Sequence, residues 1–413
     1  MDNNLKNRVM RIKNLFLKCV ICLVGVNVFI SCEKDINLLD DSGISDPELL
    51  EISDLTYTGA FRVSSDTFGE SSSNYASGAM AYNADNNSIY IVGHQQVNAI
   101  AEFPIPELLQ ETNLMALNVV SPLQGFKTIL DAVDNPTGVN RINGMIYKNG
   151  QLIVNAEVWY DASGTNSNTT LVVRNAASLN TSAIDGYYAL NGAAHAAGYL
   201  SPIPAEWRER FNSEYLTGWS SVNSIISRYS YGPTLFTFNI ADLMNGMSKS
   251  GPVQTVPFMN FSFNDQNFIT PPSGDPGQDL WNYLSKGIYG FIVPGTRTFA
   301  VFGSTGGIAS GVGYKITQDN GNLCGGYCAY QASDYSNYYW FFDVEEILSA
   351  EKVYSPRPYA YGKFSVPFDD EGSHKIIGGT FDETSGMLYL ALQSAGQVGQ
   401  YDRPPLIVGY KMP

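Results

Sequence analysis

The chain has 413 residues, with 24 Lys and Arg against 39 Asp and Glu, a formal net charge of −15 and an isoelectric point near 4.6. A surface of that sign repels phosphate backbones and anionic membrane, so nucleic acid is excluded as a partner. Thirty-nine glycines, abundant Asn, Ser and Thr, and short apolar runs broken by turn residues describe a β-rich chain.

In chain order, Lys6, Arg8, Arg11 and Lys13 precede an apolar run whose uninterrupted part is the 12 residues from Cys19 to Ile30. That is too short for a bilayer, which needs ~20 apolar residues, and suits the core of a signal peptide. The run ends at "VFISCEKD", where Ser31 precedes Cys32. This junction resembles a bacterial lipobox, which implies cleavage before Cys32 and acylation of its thiol. Several acyl chains anchor a protein firmly where one is marginal. A short secretory signal with an incidental cysteine is the alternative. Lys34 and the acids behind Cys32 resemble the surface-export signal of Bacteroidetes lipoproteins, implying the cell surface rather than the periplasmic leaflet. Residues 1–31 therefore read as signal peptide, 32–54 as an acidic tether and 55–413 as one domain. Without residues 1–31 the chain holds 19 basic against 38 acidic residues, a net charge near −19.

Four stretches then repeat one design. They are "GAMAYNADNNSIYIVG" (78–93), "GMIYKNGQLIVNA" (144–156), "GIYGFIVPGTRTFAVFG" (287–303) and "GTFDETSGMLYLAL" (379–392). Each is an apolar strand opened by glycine, a polar turn and a second apolar strand, hence a hairpin. Poor alternation within them predicts strands buried on both faces. A further strand follows each hairpin and runs into a second motif: "FPIPELL" (103–109), "FNIADLM" (238–244) and "FDVEEIL" (342–348), with "LVVRNAASLN" (171–180) as a degenerate copy. Its acid (Glu107, Asp242, Glu346) is placed to cap a short helix, and its Leu or Ile to cover the sheet edge. "PAEWRERF" (204–211) reads as a Pro-initiated helix.

These strands end at Phe103, Val173, Phe238, Phe342 and Tyr410, at intervals of 70, 65, 104 and 68 residues. Repeated sheet units predict an all-β β-propeller, with long insertions because ~40–50 residues per blade is usual. Five blades are expected, and the long interval leaves room for a sixth as the alternative. Residues 55–63, "LTYTGAFRV", are expected to close the ring beside the C-terminal strands. The stretches "SGAMAYNADNNSIYIVGH", "GYLSPIPAEWRERF", "SRYSYGPTLFTFNIADL", "FFDVEEIL" and "IIGGTFDETSGMLYLAL" together resemble an uncharacterised group of secreted bacterial propeller-like proteins. That resemblance implies the fold and no activity.

Aligning the hairpins on Gly78, Gly144, Gly287 and Gly378 puts Tyr75, Arg141, Lys286, His374 and Lys375 near one mouth of the central channel. Basic residues are scarce here, so such a gathering suits an anionic or polyhydroxylated ligand; ion pairs to Asp369, Asp370 and Glu371 are the alternative. Trp159, Tyr229, Tyr335 and Tyr338 sit among polar loop residues and could offer flat faces to sugar rings. Trp340 and Phe341 read as filling between blades. Cys324 and Cys328, in "CGGYC", read as a small-loop disulfide. His94 and His195 have no evident nucleophile beside them, and Asp161, Asp369 and Glu371 are the conceivable channel acids for glycoside cleavage. No metal or cofactor fingerprint is present, so none is predicted. The expected function is an outer-membrane lipoprotein binding an extracellular glycan or peptide, or docking on an outer-membrane complex. A glycan-cleaving hydrolase or lyase, and a structural scaffold, are the alternatives.

Overall fold

The computed structural model of the protein describes residues 47–221, 230–246, 251–272, 276–318 and 330–413. Cys32, Tyr229, Cys324 and Cys328 lie outside the described residues, as do all of residues 1–31, the expected signal peptide. From Glu48 onward the chain already lies on the sheets. Arg297 donates its backbone N–H to the Glu48 carbonyl at 3.2 Å, and buried Leu50 donates its own to Thr298 Oγ1 at 2.9 Å. The last residues of the expected tether are therefore packed, because Leu50 finds an apolar place.

Among the described residues five blade sheets form, one for each of the five strand ends read from the sequence, besides a small ribbon of Thr67–Phe68 and Ser71–Ser72. Blade 1 orders Met80–Asn83, Ser88–Val92, Ile100–Pro104 and Gln124–Lys127 from the centre outward. Blade 2 uses Arg141–Lys148, Gln151–Glu157, Asn168–Val173 and Ile184–Ala189, and blade 3 Leu200–Pro202, Tyr215–Thr217, Leu235–Phe238 and Thr255–Met259. Blade 4 has Lys286–Ile292, Thr298–Thr305, Ser336–Asp343 and Ala360–Lys363. Blade 5 is closed by both chain ends. Ile376–Asp382, Met387–Leu392 and Leu406–Lys411 are joined by Thr56–Val63, which pairs antiparallel with Leu406–Lys411. Among the described residues no sixth blade lies in the 104-residue interval, whose extra length falls before and after the first hairpin of blade 4.

The inner hairpins are buried on both faces, as at Ser88–Val92 and Thr298–Thr305, which explains their missing alternation. The terminating motif forms helices at Ile240–Met244 and Val344–Ser349. Their caps are the residues after each Phe: Asn239 accepts the Ala241 N–H at 3.2 Å and Asp343 accepts that of Glu345 at 2.9 Å. The expected acids instead occupy the first turn, where they favour the helix dipole, while Ile240, Leu243, Val344 and Ile347 are buried. "FPIPELL" makes no helix. Pro104 brings no capping side chain, and Leu109 bridges to Ala60 of the closing strand instead.

The innermost strands touch one another around the axis, and glycine permits it. A Cβ on Gly144 would stand 1.8 Å from the Gly198 carbonyl oxygen, and one on Gly378 would stand 1.7 Å from that of Gly78. Gly290 accepts the ring of Tyr199 and Gly379 that of Tyr289, both within 2.8 Å of where a Cβ would be. Those two buried tyrosines sit 6.4 Å apart, edge to face, and leave about 10 Å³ along the axis, room for about one water. The channel is sealed. Gly144→Ala must force two backbones apart and is expected to cost about 3 kcal/mol in urea unfolding, whereas Gly251→Ala, with nothing within 4 Å, should stay within about 0.5 kcal/mol.

Candidate functional site

Three innermost strands carry the same irregularity at the same place. Asn143, Ile288 and Ile377 are each the extra residue of a β-bulge against the neighbouring strand. A bulge twists the strand and re-aims the side chains beside it. Two residues before each bulge stands a cation: Arg141, Lys286 and Lys375. All three line one cavity of about 670 Å³ at this end of the propeller. The sealed hub makes it blind.

Aromatic rings back the cations. The Lys375 ammonium lies 3.9 Å from the centre of the Tyr335 ring, and the Arg141 guanidinium 5.5 Å from that of Trp159. Contacts of this kind attract a cation to the face of a ring. Tyr335 is fixed by its loop, since a Cβ on Gly306 would meet its ring at 2.7 Å. That loop is held by Asp334, which accepts the N–H groups of Gly307 at 2.9 Å and Ala309 at 2.7 Å and the Ser310 hydroxyl at 2.6 Å. Blade 1 adds Gln95 and Gln96, blade 3 adds Trp219 and Ser221, and Gln393 comes from blade 5. Among the described residues, none that lines the cavity is Asp or Glu.

A carboxyl group lies behind the wall. Glu157, fully buried, pairs across the first hairpin of blade 2 with Arg141. Burial pushes its carboxyl up to about 8, against the pull of Arg141, Lys286 and the Trp219 indole. Lys286 is open to water through the cavity while protein surrounds it on every side. Its ammonium is pushed down to about 8, first by that desolvation and then by Lys375 and Arg141, with Glu157 opposing. Desolvation also lowers Lys375. Neither lysine has an ion-pair partner among the described residues.

The structure thus brings together Arg141, Lys286, Lys375, Trp159 and Tyr335. Tyr75 is beside the wall rather than in it, edge-on to His94 at 5.7 Å and under Arg403 at 5.9 Å. His374 turns away, its Nδ1 on the Gln393 carbonyl at 2.8 Å. Tyr338 is buried and donates to the Asp279 carbonyl at 3.0 Å, and Trp340 donates to that of Leu280 at 2.6 Å; both are filling. The conceivable acids serve their own loops. Asp161 accepts the N–H groups of Thr165 at 2.9 Å and Asn166 at 3.0 Å, and Asp369 that of Val366 at 3.3 Å. His195 bonds Asn260 at 2.8 Å. Glu157, Trp219, Tyr283 and the three glutamines have no mark in the sequence.

What the fold and site define is a five-bladed propeller with a blind, cation-lined cavity. No protein-family model matches the chain, and no curated protein is significantly similar. Among solved structures, a glycosyl hydrolase from Bacteroides ovatus shares 10% identity, over 89% of this chain and 97% of that one, with a TM-score of 0.38. A GH130-family glycoside hydrolase targeting β-1,2 mannosidic linkages in Candida mannan shares 12%, over 89% and 97%, at 0.40. A DUF4221 member from Bacteroides vulgatus shares 11%, over 89% and 99%, at 0.33. Likenesses this distant say nothing about chemistry.

Glu157 holds its proton more tightly folded than unfolded, because its carboxyl is raised from 4.5 to about 8. The stability this lends is complete below the lower value and is lost as pH climbs through the higher one. Glu157→Gln should therefore flatten the fall in urea-unfolding free energy between about pH 5 and pH 8, by a few kcal/mol at about 1.4 kcal/mol per pKa unit. Parallel pH profiles for the two proteins would contradict the assignment.

Proposed function

We propose that this protein is a lipid-anchored outer-membrane propeller, displayed at the cell surface, whose cavity binds the acidic end of an extracellular glycan. One observation carries the reading: three blades each aim a cation from the same bulge position into one blind cavity. In a chain of net charge −15, scattered basic residues do not gather so without a use. Cations supply the attraction for carboxylate, sulfate or phosphate groups, and Arg141 can do so bidentately. Trp159 and Tyr335 offer flat faces with polar edges to a sugar ring, and the glutamines offer donors and acceptors to its hydroxyls. The size is that of a small-molecule pocket, and a blind floor favours an end of a chain over its middle. A glycosidase working through two acids finds no pair of them in the described wall.

Anchoring rests on the Ser31–Cys32 junction, and surface display on the lysine and acids behind it. Cys32→Ala should move the protein from the membrane to the soluble fraction, and should abolish labelling with a palmitate analogue. For the cavity, isothermal titration with acidic oligosaccharides is expected to show affinity that falls with added salt. Removing Lys375 as Lys375→Ala should weaken it at least about thirtyfold, the low end for truncating one side of a desolvated charge contact. Equal binding of neutral and acidic oligosaccharides would overturn this reading.

A further inference from the structure

The cavity contains more than a set of attractive charges. Arg141 and Lys375 come from blades 2 and 5, and Lys286 from blade 4, so three separate sheets converge on one volume. The described wall presents cations, aromatic rings and amides but no carboxylate, which is the wrong inventory for protonating and hydrolysing a glycosidic bond. It fits a different cleavage. We propose that Lys286 is a base, and that the protein cleaves uronate-containing saccharides by β-elimination, removing the proton on the carbon next to the sugar carboxylate. The proposal rests on the reading of the cavity as an acidic-glycan site.

The chemistry requires two things of a site. The carboxylate beside the breaking C–H bond must be neutralised, since negative charge builds on it as the proton leaves, and fixed positive groups do this best in a water-poor pocket. Arg141 and Lys375 are so placed, each propped by a ring, at 5.5 and 3.9 Å. Second, a base must be free of its proton near neutral pH. An ordinary lysine is not, but burial and like charges depress an amine into the range where proton abstraction is efficient. Lys286 opens onto the cavity with protein around it and Lys375 and Arg141 beside it, and its ammonium is lowered to about 8.

The groups that set this come from every side. Arg141 and Glu157 belong to blade 2, Lys375 to blade 5, and Tyr283, Tyr330 and Tyr335 to the loops of blade 4. Blades 1 and 3 face it with Gln95, Gln96, Trp219 and Ser221, which do not titrate. The balance of the step is simple. The Lys286 Nζ lone pair takes the C5 proton, and the C–H electron pair passes into the carboxylate as an enolate. That pair then forms the C4=C5 double bond as the C4–O bond breaks, its electrons leaving on the oxygen. The departing oxygen takes a proton from water in the cavity, and the hydroxide so formed takes the proton from the Lys286 ammonium. No oxidant, reductant or metal enters.

The experiment incubates the full-length protein with tetragalacturonate, tetramannuronate and a hyaluronan tetrasaccharide, with cellotetraose as the neutral control. It reads the ultraviolet absorbance of the conjugated unsaturated uronate and, in parallel, binding by titration calorimetry. At least one uronate probe should give the unsaturated product, at a rate that rises with pH toward about 8. Lys286→Arg keeps the charge but has no accessible neutral form, so it should still bind while losing at least about a hundredfold in elimination. Lys363→Ala, on the exposed outer strand of blade 4, should change neither. Binding without any unsaturated product overturns the lyase and leaves the binding reading standing. Elimination that persists in Lys286→Arg overturns the role of Lys286. Absence of binding to every probe overturns both.

Discussion

The close approach of five innermost strands at the axis is the constraint on which the rest depends. Two backbones can meet as Gly144 meets Gly198 only where neither carries a side chain on the facing side. That contact, and its counterpart between Gly378 and Gly78, draws the blades tight enough for two tyrosines to close what is left. Tyr199 and Tyr289 fill hollows that Gly290 and Gly379 provide, so the plug is the product of the same device. A wider hub would give a solvent-filled tunnel, with cations spread along it and screened by water. A sealed hub gives one blind volume in which a few charges act at short range.

The bulges connect this packing to the electrostatics. Each lies between a cation and the residue that meets the neighbouring blade or the plug: Arg141 and Gly144, Lys286 and Tyr289, Lys375 and Gly378. The strand below the bulge is fixed by the hub, and the twist above it turns the strand's first side chain toward the cavity. Position is thus set by backbone, which is why long, entropically costly side chains can be used there. Collecting three cations is unfavourable in itself, and behind the wall the pull of Arg141 and Lys286 on Glu157 only partly offsets the burial that keeps its proton on. The buried acid and the accessible amine are raised and lowered toward the same range, so their protonation states respond to one another.

Much of this was legible in the sequence, and the limits are physical. Glycine-opened hairpins and recurring strand ends gave five blades because each reflects local turn chemistry and burial. Blade 3 escaped as a hairpin because its tip is not a turn. The helix Ala205–Phe211 separates its first two strands and binds blade 4 through Trp207 Nε1 and the Thr296 carbonyl, at 2.9 Å. Arg141, Lys286 and Lys375 were findable because each stands at or just before the start of an inner strand, a position defined by the repeat. His374 was placed by the same rule and misses the cavity because adjacent residues of an extended chain point to opposite sides. Glu157 was hidden by the bulge itself. Counted from the turn at Asn149 and Gly150, an unbroken ladder pairs Arg141 with Val158; the extra residue Asn143 moves the partner to Glu157. Tyr338 and Tyr335, three residues apart, could not be separated by composition, since only the end of the loop decides which ring is inside the sheet.

The two ends of the propeller divide the work. Away from the cavity the hairpin tips of blades 1, 2, 4 and 5 are short, as at 84–87, 149–150, 293–297 and 383–386. Short tips lose little entropy and hold their strands in register. At the cavity end the loops entering and leaving the first hairpin of blade 4 are long, and they bring Tyr283, Tyr330 and Tyr335 to the wall. Binding groups collect on loops because loops can vary while the sheets beneath stay fixed. Here the division is finer. The cations stand at or just before the start of the inner strands and inherit the rigidity of the hub, whereas most of the aromatic wall is carried by loops. A change of ligand can therefore be met by altering the loops of one blade, while the charge that selects an acidic group stays tied to the strands that close the ring.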